Sequence, residues 1–241
     1  MFKIISIFLL AFSASARAAA LSPDDIVAKA DDVRNPQMDY TLEIVVVNYK
    51  NGKESRRAEY EVMVKGKERT LVKTISPADE RGTLYLMRGH DLWVYLPHMS
   101  QPVRIPFQQR LTGDVAIGDI ARTNFFGDYH AKLMKEDDRG YFLSLTAASD
   151  DVTYGKAAYW VESKTFRPLR AVFYAASGKL LKKCAYNAYE NLAGGQRPSQ
   201  MVMTDAVDPS HKSVVYTKSI KEGPLPEKYF TKDYLKKLTY L

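Results

Sequence analysis

Two hydrophobic periods divide the chain. Between Ser22 and Asn35 the apolar residues Ile26, Val27, Ala30 and Val33 recur at helical spacing and share one face. Ser22 suits the N-cap, Pro23 the first helical position, and Asp24 and Asp25 the positive end of the helix dipole. Asn35 and Pro36 end the run. From Tyr40 onward the pattern turns to alternation and to β-branched runs, which predicts strands over 40–47, 58–65, 69–75, 83–87, 92–96 and 103–105. Asn51 and Gly52 mark a hairpin between the first two. Strand patterns resume at 141–145, 157–161, 169–174, 180–189, 201–207 and 213–220, and residues 231–238 read as a short terminal helix or docked segment.

The stretch between, 107–129, lacks period two and holds Gly113, Gly118 and Gly127, so it reads as a functional or partly helical loop. The fold class expected is mainly β (α+β): one curved antiparallel half-barrel of about ten or eleven strands, with an N-terminal helix and a lid. No internal repeat divides it.

Alternation also assigns faces. Leu42, Ile44 and Val46 point one way, matched across the hairpin by Tyr60, Val62 and Val64. Leu84, Leu86, Leu92, Val94 and Leu96 extend that apolar inner face, while Trp93 and Tyr95 fall on the opposite side beneath a crossing segment. Ile26, Ala30 and Val33 of the helix, with Ile117, Ile120 and Phe125 of the central loop, are the expected lid, and the loop glycines supply its hinge freedom.

The start of the chain stands outside this pattern. Lys3 precedes an apolar stretch at 4–12, and Ala16, Ala18 and Ala20 form small-residue cleavage signals. Residues 1–20 therefore read as a signal peptide cleaved near Ala18 or Ala20, and 21–241 as one exported domain. The net charge of +7 is a mild basic excess, not a nucleic-acid signature. Arg104, Arg110 and Arg122 are basic residues for the rim of a cavity.

Candidate chemistry is sparse. No phosphate-binding loop, nucleophile elbow or zinc-protease motif occurs. The four histidines, His90, His98, His130 and His211, form no ligand pair, and the paired acids fall at helix ends or turns. Cys184, alone, reads as a small buried hydrophobe. The expectation is no catalytic residue, no metal and no cofactor.

A resemblance sharpens this. Leu92–Trp93–Val94–Tyr95–Leu96–Pro97 followed by Val103–Arg104–Ile105 resembles the core motif of outer-membrane lipoprotein-sorting proteins, the LolA-like group. The turn from Ile75 through Ser76–Pro77–Ala78 to Gly82–Thr83 resembles that family as well. So do Gly113–Asp114–Val115–Ala116 and Gly127–Asp128–Tyr129, Pro168–Leu169–Arg170, Gly178–Lys179–Leu180, and Leu225–Pro226–Glu227 with Tyr234–Leu235. The ordered set spans nearly the whole chain after residue 20 and is similar to the subgroup found beside RND-type exporters. The resemblance implies a half-closed sheet with a helical lid, an apolar cavity for lipid or lipoprotein acyl chains, a periplasmic location and transient membrane contact. It implies an inner-membrane RND-type exporter and an outer-membrane acceptor as partners. Family carriers latch the lid with an arginine from an early strand; Arg56, Arg57 and Arg69 all qualify, and no motif singles one out. The alternative is an exporter-associated interaction partner whose core is filled by its own side chains.

Overall fold

The computed structural model describes residues 21–239; the signal-peptide reading of 1–20 lies outside the described residues. The chain opens with α1 (Pro23–Arg34). Ser22 Oγ accepts from Asp25 N–H at 3.1 Å and the Asp25 carboxylate accepts from Ser22 N–H at 3.2 Å, a reciprocal cap. Six strands follow: β1 (Tyr40–Lys50), β2 (Lys53–Lys65), β3 (Arg69–Ser76), β4 (Leu84–Arg88), β5 (Asp91–Tyr95) and β6 (Val103–Arg104). A small ribbon of β7 (Arg110–Thr112) and β8 (Val115–Ala116) leads into α2 (Ile117–Ala121). Then come β9 (Tyr129–Asp137), β10 (Gly140–Ala147), β11 (Lys156–Glu162), β12 (Pro168–Tyr174), β13 (Leu180–Leu192), β14 (Gly195–Asp205) and β15 (His211–Glu222). A 3₁₀ turn (Glu227–Phe230) and α3 (Lys232–Leu238) complete the described residues.

All but β7 and β8 join one antiparallel sheet of 13 strands, in the order β6 to β1, then β15 down to β9. The two halves meet where β1 pairs with β15, from Tyr40 opposite Glu222 to Lys50 opposite His211. The sheet is curved and not closed, with β6 and β9 at its edges. Register shifts leave an extra residue at Ser55 in β2, Met134 in β9, Leu169 in β12, Leu181 in β13 and Lys218 in β15, the bulges that bend it. Asn51 (φ 52°) and Gly52 (φ 75°) adopt the left-handed pair that a two-residue hairpin needs, as their sequence signalled.

The strand total exceeds the expected ten or eleven: the pattern missed the short β7 and β8 and, in the large sheet, β9. Its sequence is charged and largely exposed, because it is an edge strand, paired with β10 on one side and met by α1. Asp24 of that helix accepts from the otherwise open Ala131 N–H at 3.0 Å.

Apolar residues pack on both faces of the sheet. The larger cluster includes Ile44, Tyr60, Val62, Leu143 and Tyr159 and is covered by α1, α2 and Phe125. The smaller comprises Leu71, Leu84, Leu86 and Tyr95 beneath Phe230, Leu235 and Leu238 of the C-terminal segment. That segment is the expected crossing element over Tyr95.

Candidate ligand-binding site

The lid is built from two helices laid over the larger cluster. The predicted lid residues Ile26, Ala30, Ile117, Ile120 and Phe125 are all buried there. Val33 is not: it is half-buried, and Val27 and Asp31 occupy the inward face of α1 instead. Gly113 and Gly118 are close-approach positions, not hinges. A Cβ on Gly113 would meet Asn48 Oδ1 at 2.1 Å, and one on Gly118 would meet Thr153 Oγ1 at 2.1 Å.

Strand register settles which predicted wall residues face the lid. Leu42 lies opposite Val62 and Ile44 opposite Tyr60, and the row continues from Val62 through Val72 and Tyr85 to Val94. Ile44, Val46, Tyr60, Val62, Val64 and Leu92 are buried in the lid-covered cluster, with Leu42 packed against it. Leu84 and Leu86 are a correction. They pair with Tyr95 and Trp93, and so face the C-terminal segment on the other side. Val94 is half-buried, and Leu96, just past the end of β5, is half-buried too; neither belongs to either cluster.

An apolar pocket of about 80 Å³ remains between the end of α1, α2 and strands β1, β14 and β15. Leu42, Ile44, Ile120, Met201, Val215 and Ile220 are among its apolar lining residues; Arg34, Tyr40, Thr123 and Arg197 are among its polar ones. A smaller hollow of about 30 Å³ shares Arg34 and is lined by Phe125, Tyr129, Phe173, Cys184 and Tyr186. Both are far below the ~300–1,000 Å³ usual for a small-molecule site, so an acyl chain enters only if the lid moves.

The lid is fastened by buried polar contacts. Asp31 Oδ2 accepts Phe125 N–H at 2.7 Å and Phe126 N–H at 2.8 Å, while Oδ1 accepts from Arg34 Nη2 at 3.1 Å. Burial raises the Asp31 carboxyl pKa, and Arg34 and the two N–H groups oppose that rise. The Arg34 guanidinium lies 4.4 Å from the Phe125 ring centroid and donates to Tyr186 Oη at 3.1 Å. At the other helix, Asp119 accepts from Lys182 Nζ at 2.5 Å, Tyr154 Oη at 2.6 Å and Ala116 N at 2.8 Å. Arg197 on β14 donates through Nη1 to Asp32 O and Val33 O, both at 3.1 Å, satisfying carbonyls at the end of α1.

The early-strand arginines make no such contact. Arg56 pairs with Glu80, Arg57 with Glu54 and Arg69 with Glu227, all at partly exposed positions. Of the predicted rim residues, Arg104 pairs with Asp91 at 2.5 Å at the surface, Arg110 borders a surface groove, and Arg122 is half-buried against Asp128. Sequence reasoning missed Asp31, Arg34, Asp119, Lys182 and Arg197. Asp31 and Arg34 were accessible to it, since they continue the Ile26–Val27–Ala30 face at spacings of four and three. Arg197 carries no local signal.

Burial holds the Cys184 thiol at about 12, so it is protonated at neutral pH. Among the described residues no group of three or more His, Cys, Asp or Glu is placed to hold a metal ion, and no helix is long and apolar enough to cross a membrane.

Known proteins resemble the chain over nearly its full described length. A family model described only as that of an uncharacterized protein matches residues 66–237. No curated protein matches it in sequence. Among solved structures, a LolA superfamily protein from Nitrosomonas europaea is 41% identical, with a TM-score of 0.83 over 89% of this chain and 100% of that one. A DUF1329 family protein from Desulfovibrio piger is 25% identical, with a TM-score of 0.76 over 88% of this chain and 97% of its own. A domain from Vibrio parahaemolyticus, described as an outer membrane lipoprotein-sorting protein, is 20% identical and shares the fold, with a TM-score of 0.74 over 89% and 98%.

Proposed function

The chain belongs to the LolA superfamily, and from that premise we propose that it is a periplasmic carrier of lipid or lipoprotein acyl chains. Residues 1–20 serve as its signal peptide and 21–241 as one carrier domain. The protein holds acyl chains between the curved sheet and the lid and moves them between membranes without catalysing a reaction. Its partners are an inner-membrane RND-type exporter and an outer-membrane acceptor, with transient membrane contact.

The observation that carries this reading is the manner of lid attachment. α1 and α2 cover an apolar wall yet are fixed to it by separable polar contacts: Arg197 to the end of α1, and Lys182 to Asp119 of α2. Releasing them uncovers Leu42, Ile44, Val215 and Ile220 together. Burying an acyl chain there contributes ~0.8 kcal/mol per CH₂, which offsets the lost lid contacts as the chain lengthens. Ile44, Val46, Tyr60, Val62, Val64 and Leu92 back the enlarged cavity.

The pocket of about 80 Å³ favours a second reading, in which the core stays filled and the protein acts as an exporter's interaction partner. Native mass spectrometry of protein purified from its own periplasm separates the two. Stoichiometric lipid is the result expected of a carrier. A lipid-free protein that also takes up no fluorescent fatty acid overturns the carrier reading.

A further inference from the structure

The pocket beneath α1 is mainly apolar, and two guanidinium groups, of Arg34 and Arg197, line it. Their electrostatic balance differs. Arg34 is neutralised by Asp31, although its buried Nε has no partner. Arg197 gives Nε to Leu192 O at 3.0 Å and Nη1 to Asp32 O and Val33 O; all three acceptors are neutral carbonyls. Among the described residues its Nη2 makes no hydrogen bond and no carboxylate reaches it as an ion pair. Asp32 and Glu222 favour its charge only from a distance, and burial works against it. Asp119, the remaining charged group on the pocket wall, is neutralised by Lys182.

The pocket thus holds one uncompensated positive charge, with Arg197 Nη2 unpaired and Arg34 Nε buried without a partner, beside walls of Leu42, Ile44, Val215 and Ile220. A buried cation without a counter-ion is costly, and a guanidinium fork matches the planar oxygens of a carboxylate or the oxygens of a phosphate. We propose that the cargo is a single-chain acidic lipid, its acid group held by Arg197 and Arg34 and its tail laid along Leu42, Ile44 and Val215. This rests on the carrier reading and narrows its substrate class.

Displacement of the neutral dye N-phenyl-1-naphthylamine tests it, with palmitate, palmitoyl lysophosphatidate and hexadecanol as competitors. At least one acid should displace the dye at a concentration about tenfold or more below that of hexadecanol, the gain expected of a charge-assisted hydrogen bond. The acid that does so identifies the head group as carboxylate or phosphate. The preference should fall toward one in Arg197→Gln and persist in Arg197→Lys, with circular dichroism confirming that each is folded. Equal displacement by acids and alcohol overturns the head-group assignment and leaves the carrier reading intact. A preference retained in folded Arg197→Gln also overturns it. If no competitor binds the wild-type protein, both readings fall.

Discussion

Asp119 and Lys182 meet at 2.5 Å across the seam between α2 and β13, both side chains almost wholly buried. The same carboxylate takes Tyr154 Oη and Ala116 N–H, so the start of the lid helix hangs on one residue. Asp119→Ala strands the ammonium of Lys182 in the interior and should cost about 3–5 kcal/mol in urea unfolding. Replacing both partners, Asp119→Leu with Lys182→Met, should recover most of that loss. Amide hydrogen exchange at residues 117–121 should accelerate in the single variant; an unchanged rate would separate α2 from this ion pair.

The two faces of β1 and β4 make a paired test of the cavity. Ile44→Glu puts an unpaired carboxylate on the pocket wall and should abolish fluorescent fatty-acid uptake in a protein that still folds by circular dichroism. Thr41→Glu, on the other side of the strand, should leave uptake unaltered. Leu84→Ala should lose about 2–5 kcal/mol of stability yet keep uptake, because Leu84 packs under the C-terminal segment.

Cys184 is buried, and its thiol titrates at about 12 because burial penalises the thiolate. Ellman's reagent should therefore not react with native protein at pH 8 and should report one thiol per chain in guanidinium chloride. Rapid labelling of the native state would place Cys184 at an opening of the hollow beside Tyr186.

The mature N-terminus follows from the cleavage signals. Intact mass of periplasmic protein should correspond to a start at Ala19 or Leu21. Retention of Met1 would contradict export by a cleaved signal.

Much of the fold was legible because its turns carry explicit chemistry: Ser22 with Pro23 set the helix, and Asn51 with Gly52 set the first hairpin and its register. The wall failed at Leu84 and Leu86 for a definite reason. The run Leu84–Tyr85–Leu86–Met87 is apolar at every position, so alternation cannot say which side faces in. Turn geometry can: the two-residue link Gly89–His90 sets Met87 opposite Leu92 and Leu86 opposite Trp93. β9 was hidden because an edge strand needs no apolar alternation. Arg197 and Lys182 were hidden because their partners, Asp32, Val33 and Asp119, lie more than sixty residues away, beyond the reach of local patterns.

The pairing of β1 with β15 has a consequence for biogenesis. Residues 40–50 find their outer neighbour only in residues 211–222, so the middle of the sheet is made by its first and its last strand in chain order. A chain delivered N-terminus first, from a ribosome or through a translocation channel, can form the β1–β6 meander early. That meander, complete at Arg104, must wait with β1 as an exposed, β-branched edge until roughly 110 further residues arrive. The half-made sheet is the species most open to wrong pairing, and a holding chaperone would act during that interval.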